Sequence, residues 1–377
     1  MNMPNIFDYL KWRGDLRFEQ DGFNEVDNLI LATLSYVDFG GIVPDKMSGQ
    51  SIPLVKAAGL AREMGRFRAG PLLARFPALL ESASETERFR EIALSRYVNE
   101  VDIEKSYQFS ALVFSLSERA HYIAFRGTDD NLAGWKEDFL MGFKDVVLAQ
   151  TQAARYVNAI IPSLRGEVTL GGHSKGGNLA VFAAAHATDR NMKKIVAVYN
   201  NDGPGFQTSV IRSEGYRKIL GRIRSYIPNS SVVGMLLEHG ENYKIVSSRE
   251  KGIMSHNSVT WEVSGNTFVH EKELTKSSRQ INEALRTWMA ALSLEQREQF
   301  VGALFDIIQA SGAQTLSDLT KERLSVIDAM IHKLKKMDKE TRALLKETVV
   351  TFFSIRQQML AESIGGVLHI KKAPSRR

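Results

Sequence analysis

The stretch EVTLGGHSKGGNLAVFAAAHA, residues 167–187, leaves the chain few folds to choose from. A run containing the β-branched Val168 and Thr169 stops at glycines and an Ala-rich helical run begins at once, with Ser174 between them at G-x-S-x-G spacing. A sharp turn from strand to helix lifts the serine hydroxyl out of the sheet, and Gly172 and Gly176 stand where a Cβ would collide with neighbouring backbone. Ala180, Ala183, Ala184 and Ala185 let the helix pack close to the sheet. Its N-terminus directs N–H groups and partial positive charge at negative charge developing on a substrate, so the backbone N–H of Lys175 is a natural oxyanion donor. The competing reading is a glycine-rich turn with an incidental serine.

The surroundings suit that turn. Residues 24–36 carry Val26, Leu29, Ile30 and Leu34 at helical spacing. From about 51 to 100 the pattern is again helical but interrupted, in IPLVKAAGLAREM, PLLARFPALLESA and ETERFREIALSRY, so residues of about 42–100 are expected to form a helical, cap-like segment. QFSALVFSLSERAHYIAFRGTDD then reads as a β-hairpin or meander, followed by a helix around 147–161 and strands at EVTLGG, KKIVAVYNN, GRIRSYIP and NYKIVSS. Strands separated by helices imply a mostly parallel sheet with both faces covered, an α/β fold. Beyond about 271 the strand signal ends, and helices are expected over 278–292, 295–310, 315–336 and 338–363. The expected division is an α/β domain over 1–270 and an all-helical region over 271–377.

Composition narrows the chemistry. The chain has no cysteine, so a nucleophile must be oxygen or nitrogen and thiolate metal sites are excluded. The formal charge is +6, but Lys371, Lys372, Arg376 and Arg377 crowd the last seven residues, and in the rest 45 bases face 43 acids. That balance speaks against a nucleic-acid footprint, although the tail could touch an anionic membrane surface. The charged run IHKLKKMDKETR, 331–342, reads as a solvated helix face. No run of about 18 apolar residues offers a membrane span, and the N-terminus carries no secretory signal pattern, so the expected location is the cytoplasm.

AFRGT at 124–128, GWKEDF at 134–139 and GGHSKGGNLA at 171–180 together resemble the class 3 lipase branch of the α/β-hydrolase superfamily. With VDNLILATLSYVDF near the start, NNDGPGF after the elbow and SVVGMLL later, the chain also resembles a bacterial lipase-like domain-of-unknown-function family over roughly residues 20–265. The resemblance implies an α/β-hydrolase fold and a serine-hydrolase site. It places Thr128 as the second oxyanion donor beside Lys175, and Trp135 and Asp138 in structural roles.

A serine hydroxyl is barely ionised at neutral pH and needs a base, which in this fold follows the acid in chain order. His186, His239, His256, His270, His332 and His369 all follow Ser174. His256, in GIMSHNSVTWEV after the YKIVSS strand, occupies the expected loop, with His239 and His270 ranked behind it. His173 shapes the elbow rather than acting as base. The acid commonly follows the strand after next, but YIPNSSVV offers only Ser230 and Ser231 there. Asp202, one strand earlier in YNNDGPG, is therefore the expected acid, against an Asx-turn role, with Glu238 and Glu241 as substitutes.

The resulting expectation is a serine esterase or lipase: Ser174 as nucleophile, His256 as base, Asp202 orienting it, Thr128 and Lys175 holding the oxyanion, and no metal or organic cofactor. Its substrate would be a small acyl ester or lipid-like molecule. Acyl transfer or thioester cleavage would use the same Ser and His, and a non-catalytic binding protein on the same fold is the alternative from another class.

Overall fold

Among the described residues nine strands pair into one mixed sheet. The structure, a computed structural model, describes residues 3–66, 74–129, 131–310, 312, 315 and 323–347. In chain order come helices α1 (Ile6–Arg13) and α2 (Glu25–Leu34), strand β1 (Ile52–Pro53), α3 (Leu54–Glu63), α4 (Phe76–Ser84), β2 (Ala93–Asp102), β3 (Tyr107–Ser117) and β4 (Ala120–Phe125). Then follow α5 (Leu132–Met141), α6 (Leu148–Ile160), β5 (Glu167–His173), α7 (Lys175–Ala185), β6 (Ile195–Asn201), β7 (Ile223–Pro228) and β8 (Tyr243–Val246). The first two helices start alike: Asn5 and Asn24 each close a capping box with an aspartate three residues on, Asp8 and Asp27.

The strands lie side by side in chain order from β1 to β8, with the short strand His270–Glu271 on the far edge of β8. β4 to β8 are parallel, joined by helices as far as β7 and by a loop with a single 3-10 turn before β8, whereas β1 to β4 and the last pair are antiparallel. The expected mostly parallel sheet is thus a parallel centre with antiparallel flanks, because β2, β3 and β4 are joined by turns too short to cross over. Alternation in β3 and β4 sorts side chains between two cores. Leu112, Phe114, Tyr122 and Ala124 pack with α1 to α4, and Val113, Ile123 and Phe125 pack with α6 and α7.

Of the three pieces expected to be helical between 51 and 100, two are: α3 and α4. The third, 85–97, turns and enters β2. A β-bulge between Ser95 and Val98, with Arg96 at φ 59, breaks the alternation there, so two buried neighbours imitate a helical stripe.

The chain divides into two compact units. The first covers Met1–Leu274, and Thr315 joins it through a bridge to Asn131. The second begins at Thr275 and contains helices over Lys276–Ala290, Leu294–Gln309 and Arg323–Lys336, with helical backbone also at 339–347. The basic tail, His369 and the end of the last expected helix lie outside the described residues. Among the described residues no helix is long and apolar enough to cross a membrane.

Candidate active site

Strand β5 runs into Ser174, and α7 begins on the next residue. Ser174 has φ 59 and ψ −136, a region that L residues seldom occupy and that persists only where the surroundings enforce it. Several contacts enforce it. The Ser174 N–H donates to the Asn201 carbonyl at 2.9 Å, and the Asn201 side-chain amide donates to the Gly172 carbonyl at 2.9 Å, so the end of β6 grips the turn. A Cβ on Gly172 would lie 2.3 Å from the Gly176 carbonyl carbon, and one on Gly176 would lie 2.1 Å from the Phe125 carbonyl oxygen. Both glycines therefore permit the turn to cross β4 at backbone distance.

His256 closes a 3-10 turn, Gly252–His256, beyond β8. Its Nδ1 lies 2.6 Å from Asp202 Oδ2, which leaves Nε2 as the basic nitrogen. The ring packs on that of His173, centroids 4.5 Å apart, and the His256 carbonyl accepts from His173 Nε2 at 2.6 Å. The other nitrogen of His173 faces the Tyr36 hydroxyl at 3.1 Å. Burial and the neighbouring His256 hold the pKa of His173 well below the ordinary value, although its bond to the His256 carbonyl works the other way. A neutral His173 with its proton on Nε2, accepting from Tyr36 on Nδ1, satisfies every partner. The residue before Ser174 is thus a strut between the elbow and the loop that carries His256. The Ser174 hydroxyl makes no hydrogen bond to another described residue, and contacts of this kind commonly tighten only when substrate binds.

Asp202 follows β6, fully buried, with φ 53. Its Oδ1 accepts from the Ser231 hydroxyl at 2.6 Å and from the Gly234 N–H at 3.1 Å. Ser231 belongs to the stretch after β7 where the acid was missing from the sequence. One strand supplies the carboxylate and its neighbour supplies the donors, an arrangement that depends on β6 and β7 being adjacent. The other candidates are engaged elsewhere: Glu238 accepts from Thr208, Glu241 meets His239, His270 meets Glu25, and His186 stacks on Phe182.

The AFRGT segment passes directly against the elbow, since a Cβ on Gly127 would lie 2.5 Å from the His173 carbonyl oxygen and 3.0 Å from Ser174 Cβ. Thr128 follows, its hydroxyl buried without a well-aligned partner, as is Oδ1 of Asp138 on α5. The Lys175 side chain is committed to the interior: its ammonium is buried on Glu137 at 3.0 Å and the Gln108 carbonyl at 3.2 Å. Only its backbone N–H, in the first turn of α7, is free for an oxyanion role.

Burial pushes the Asp138 carboxyl up to about 6, against the opposing pull of Lys175, the Thr128 hydroxyl and His256. A carboxyl raised in the folded state stabilises the protein below its unfolded pKa of about 4, and that contribution is lost as pH rises through the folded value. With the side chain 27% exposed, the loss at this group is expected to be about 2 kcal/mol between about pH 4 and 7. Melting curves across that range should show it in the wild type and not in Asp138→Asn; parallel curves would mean that Asp138 does not titrate there.

The profile of the Mbeg1-like family matches residues 83–306, a span that contains Thr128, Ser174, Lys175, Asp202 and His256. No curated protein matches the sequence. Among solved structures, a crystal structure of M37 lipase is similar at 14% identity, over 55% of this chain and 69% of that one, with a TM-score of 0.35.

Proposed function

The chain belongs to the Mbeg1-like family, and on that premise we propose that it is a serine hydrolase of the esterase or lipase type on an α/β-hydrolase fold. The observation that carries the reading is the 2.6 Å contact of His256 with a buried Asp202, beside a serine held at positive φ where a strand turns into a helix. A strained serine at such a turn and a carboxylate-held imidazole are what acyl transfer through oxygen requires.

In this scheme Ser174 Oγ attacks the ester carbonyl as His256 Nε2 takes its proton. Asp202 keeps the proton on Nδ1 and stabilises the imidazolium that forms. The backbone N–H groups of Lys175 and Thr128 receive the oxyanion. Collapse expels the alcohol, which takes the proton from His256, and leaves an acyl-enzyme. Water, deprotonated by the same nitrogen, then releases the acid and restores Ser174. The substrate class is a small acyl ester or lipid-like molecule, and the scheme uses no cofactor.

The experiment is reaction of purified protein with a fluorophosphonate, read by intact mass and peptide mapping. One adduct on Ser174, absent in Ser174→Ala and much slower in His256→Ala, is the expected result. A folded wild type that stays unmodified under conditions that modify a known serine esterase would sink the hydrolase reading in favour of a binding protein on this fold.

A further inference from the structure

Behind the acid lies a second histidine–carboxylate pair that the scheme above does not use. The side chains of His239 and Glu241 are 7% and 2% exposed. His239 Nδ1 lies 3.2 Å from Glu241 Oε1, and its Nε2 lies 2.6 Å from the Gly234 carbonyl oxygen. Carboxylate and carbonyl are both acceptors with no proton to give, so both contacts are satisfied together only when both ring nitrogens carry hydrogen. Glu241 is prepared for such a partner. It also accepts from the Ser225 and Tyr216 hydroxyls. Burial would raise this carboxyl, but the hydrogen bond and charge of His239 together with those hydroxyls bring it down to about 2. The Tyr243 ring packs edge-on against His239 at 5.9 Å.

What His239 grips is the turn that feeds the acid. Gly234 sits in the 3-10 turn Val233–Met235, and its N–H serves both Asp202 Oδ1 and the Ser231 hydroxyl, the latter at 3.1 Å. The fit allows no slack on that side, since a Cβ on Gly234 would lie 2.1 Å from Asp202 Oδ1. Gly234 is thus held by its carbonyl on His239 and by its N–H on the acid.

We propose that His239 is a positioning residue for Asp202: clamped between Glu241 and the Gly234 carbonyl, it fixes the turn whose Ser231 hydroxyl and Gly234 N–H orient the carboxylate toward His256. This deepens the hydrolase reading and rests on it for its catalytic meaning, whereas the clamp itself can be observed without turnover.

The test uses the full chain with nitrogen-labelled histidine and reads the low-field Nδ1 proton of His256, assigned by its loss in Asp202→Asn. His239→Phe keeps a ring of similar size but no donor, and His239→Gln restores a donor within reach of the Gly234 carbonyl. The resonance is expected to weaken and exchange faster in His239→Phe and to recover in His239→Gln at a matched melting temperature. The fluorophosphonate reaction should slow about tenfold in His239→Phe and recover likewise. Glu241→Gln, which weakens the clamp from its other end, serves where His239→Phe does not fold. An unchanged His256 resonance in either folded variant overturns the proposal. A wild type that never reacts with the fluorophosphonate instead overturns the hydrolase reading, and the His256 resonance still decides the clamp.

Discussion

Asp202→Asn is expected to slow acylation of Ser174 about ten-thousandfold while the fold persists, the size of effect seen when a triad carboxylate elsewhere becomes an amide. The position of Oδ1 between two donors, the Ser231 hydroxyl and the Gly234 N–H, decides how an amide would sit. An asparagine carbonyl oxygen would take that place, which turns its NH2 toward His256 Nδ1. That nitrogen must then accept, the imidazole proton moves to Nε2, and the base loses the lone pair that takes the proton from Ser174. Second-order rate constants with a fluorophosphonate, beside circular dichroism of both proteins, measure the effect. A rate within a few-fold of wild type would assign the acid elsewhere and leave Asp202 as a loop-closing residue.

Lys175→Ala is expected to cost about 3 kcal/mol or more of folding stability, because it leaves Glu137 buried without its counter-charge. Both side chains are 1% exposed, and Glu137 also receives the Gln108 and Ala149 N–H groups. The pair ties the first turn of α7 to α5, β3 and the start of α6. Replacing both members by apolar residues, Lys175→Met with Glu137→Leu, removes the stranded charge and should recover much of the loss. Urea denaturation of the three variants tests this. Because the proposed oxyanion donor is backbone, the double variant should also keep most of its reactivity with a fluorophosphonate. A stable but unreactive double variant would give the Lys175 ammonium a direct part in the chemistry.

The elbow was legible because its cause is local: the strand, the glycines and the small-residue helix all lie within residues 167–187. His256 and Asp202 were reachable for a related reason, since each stands in the loop after a readable strand, and the structure brings these two together. The support around them was not. Ser231 looked like an absence at the usual acid position, and its role exists only because β6 and β7 lie side by side. His239 competed with His256 on sequence grounds, and only three-dimensional contacts separate the residue that meets Asp202 from the one gripping Gly234. The hairpin of β3 and β4 was legible, but β2 was obscured by the bulge at Ser95 to Val98, where a period of two is broken. His173 gave one usable sign, a histidine adjoining Ser174 and so unsuited to be its base; its link to Tyr36 spans 137 residues.

The order of strands bears on how the chain is made. Because β1 to β8 lie edge to edge as they occur along the polypeptide, a strand leaving the ribosome meets a neighbour that has already emerged, and the sheet can grow by addition at one rim. Ser174, the proposed nucleophile, is in place about halfway through synthesis. The imidazole that would activate it emerges after β8, 54 residues beyond its carboxylate. A nascent chain stopped at β7 therefore carries the elbow without the proposed base, which arrives only after β8 and ahead of the edge strand His270–Glu271.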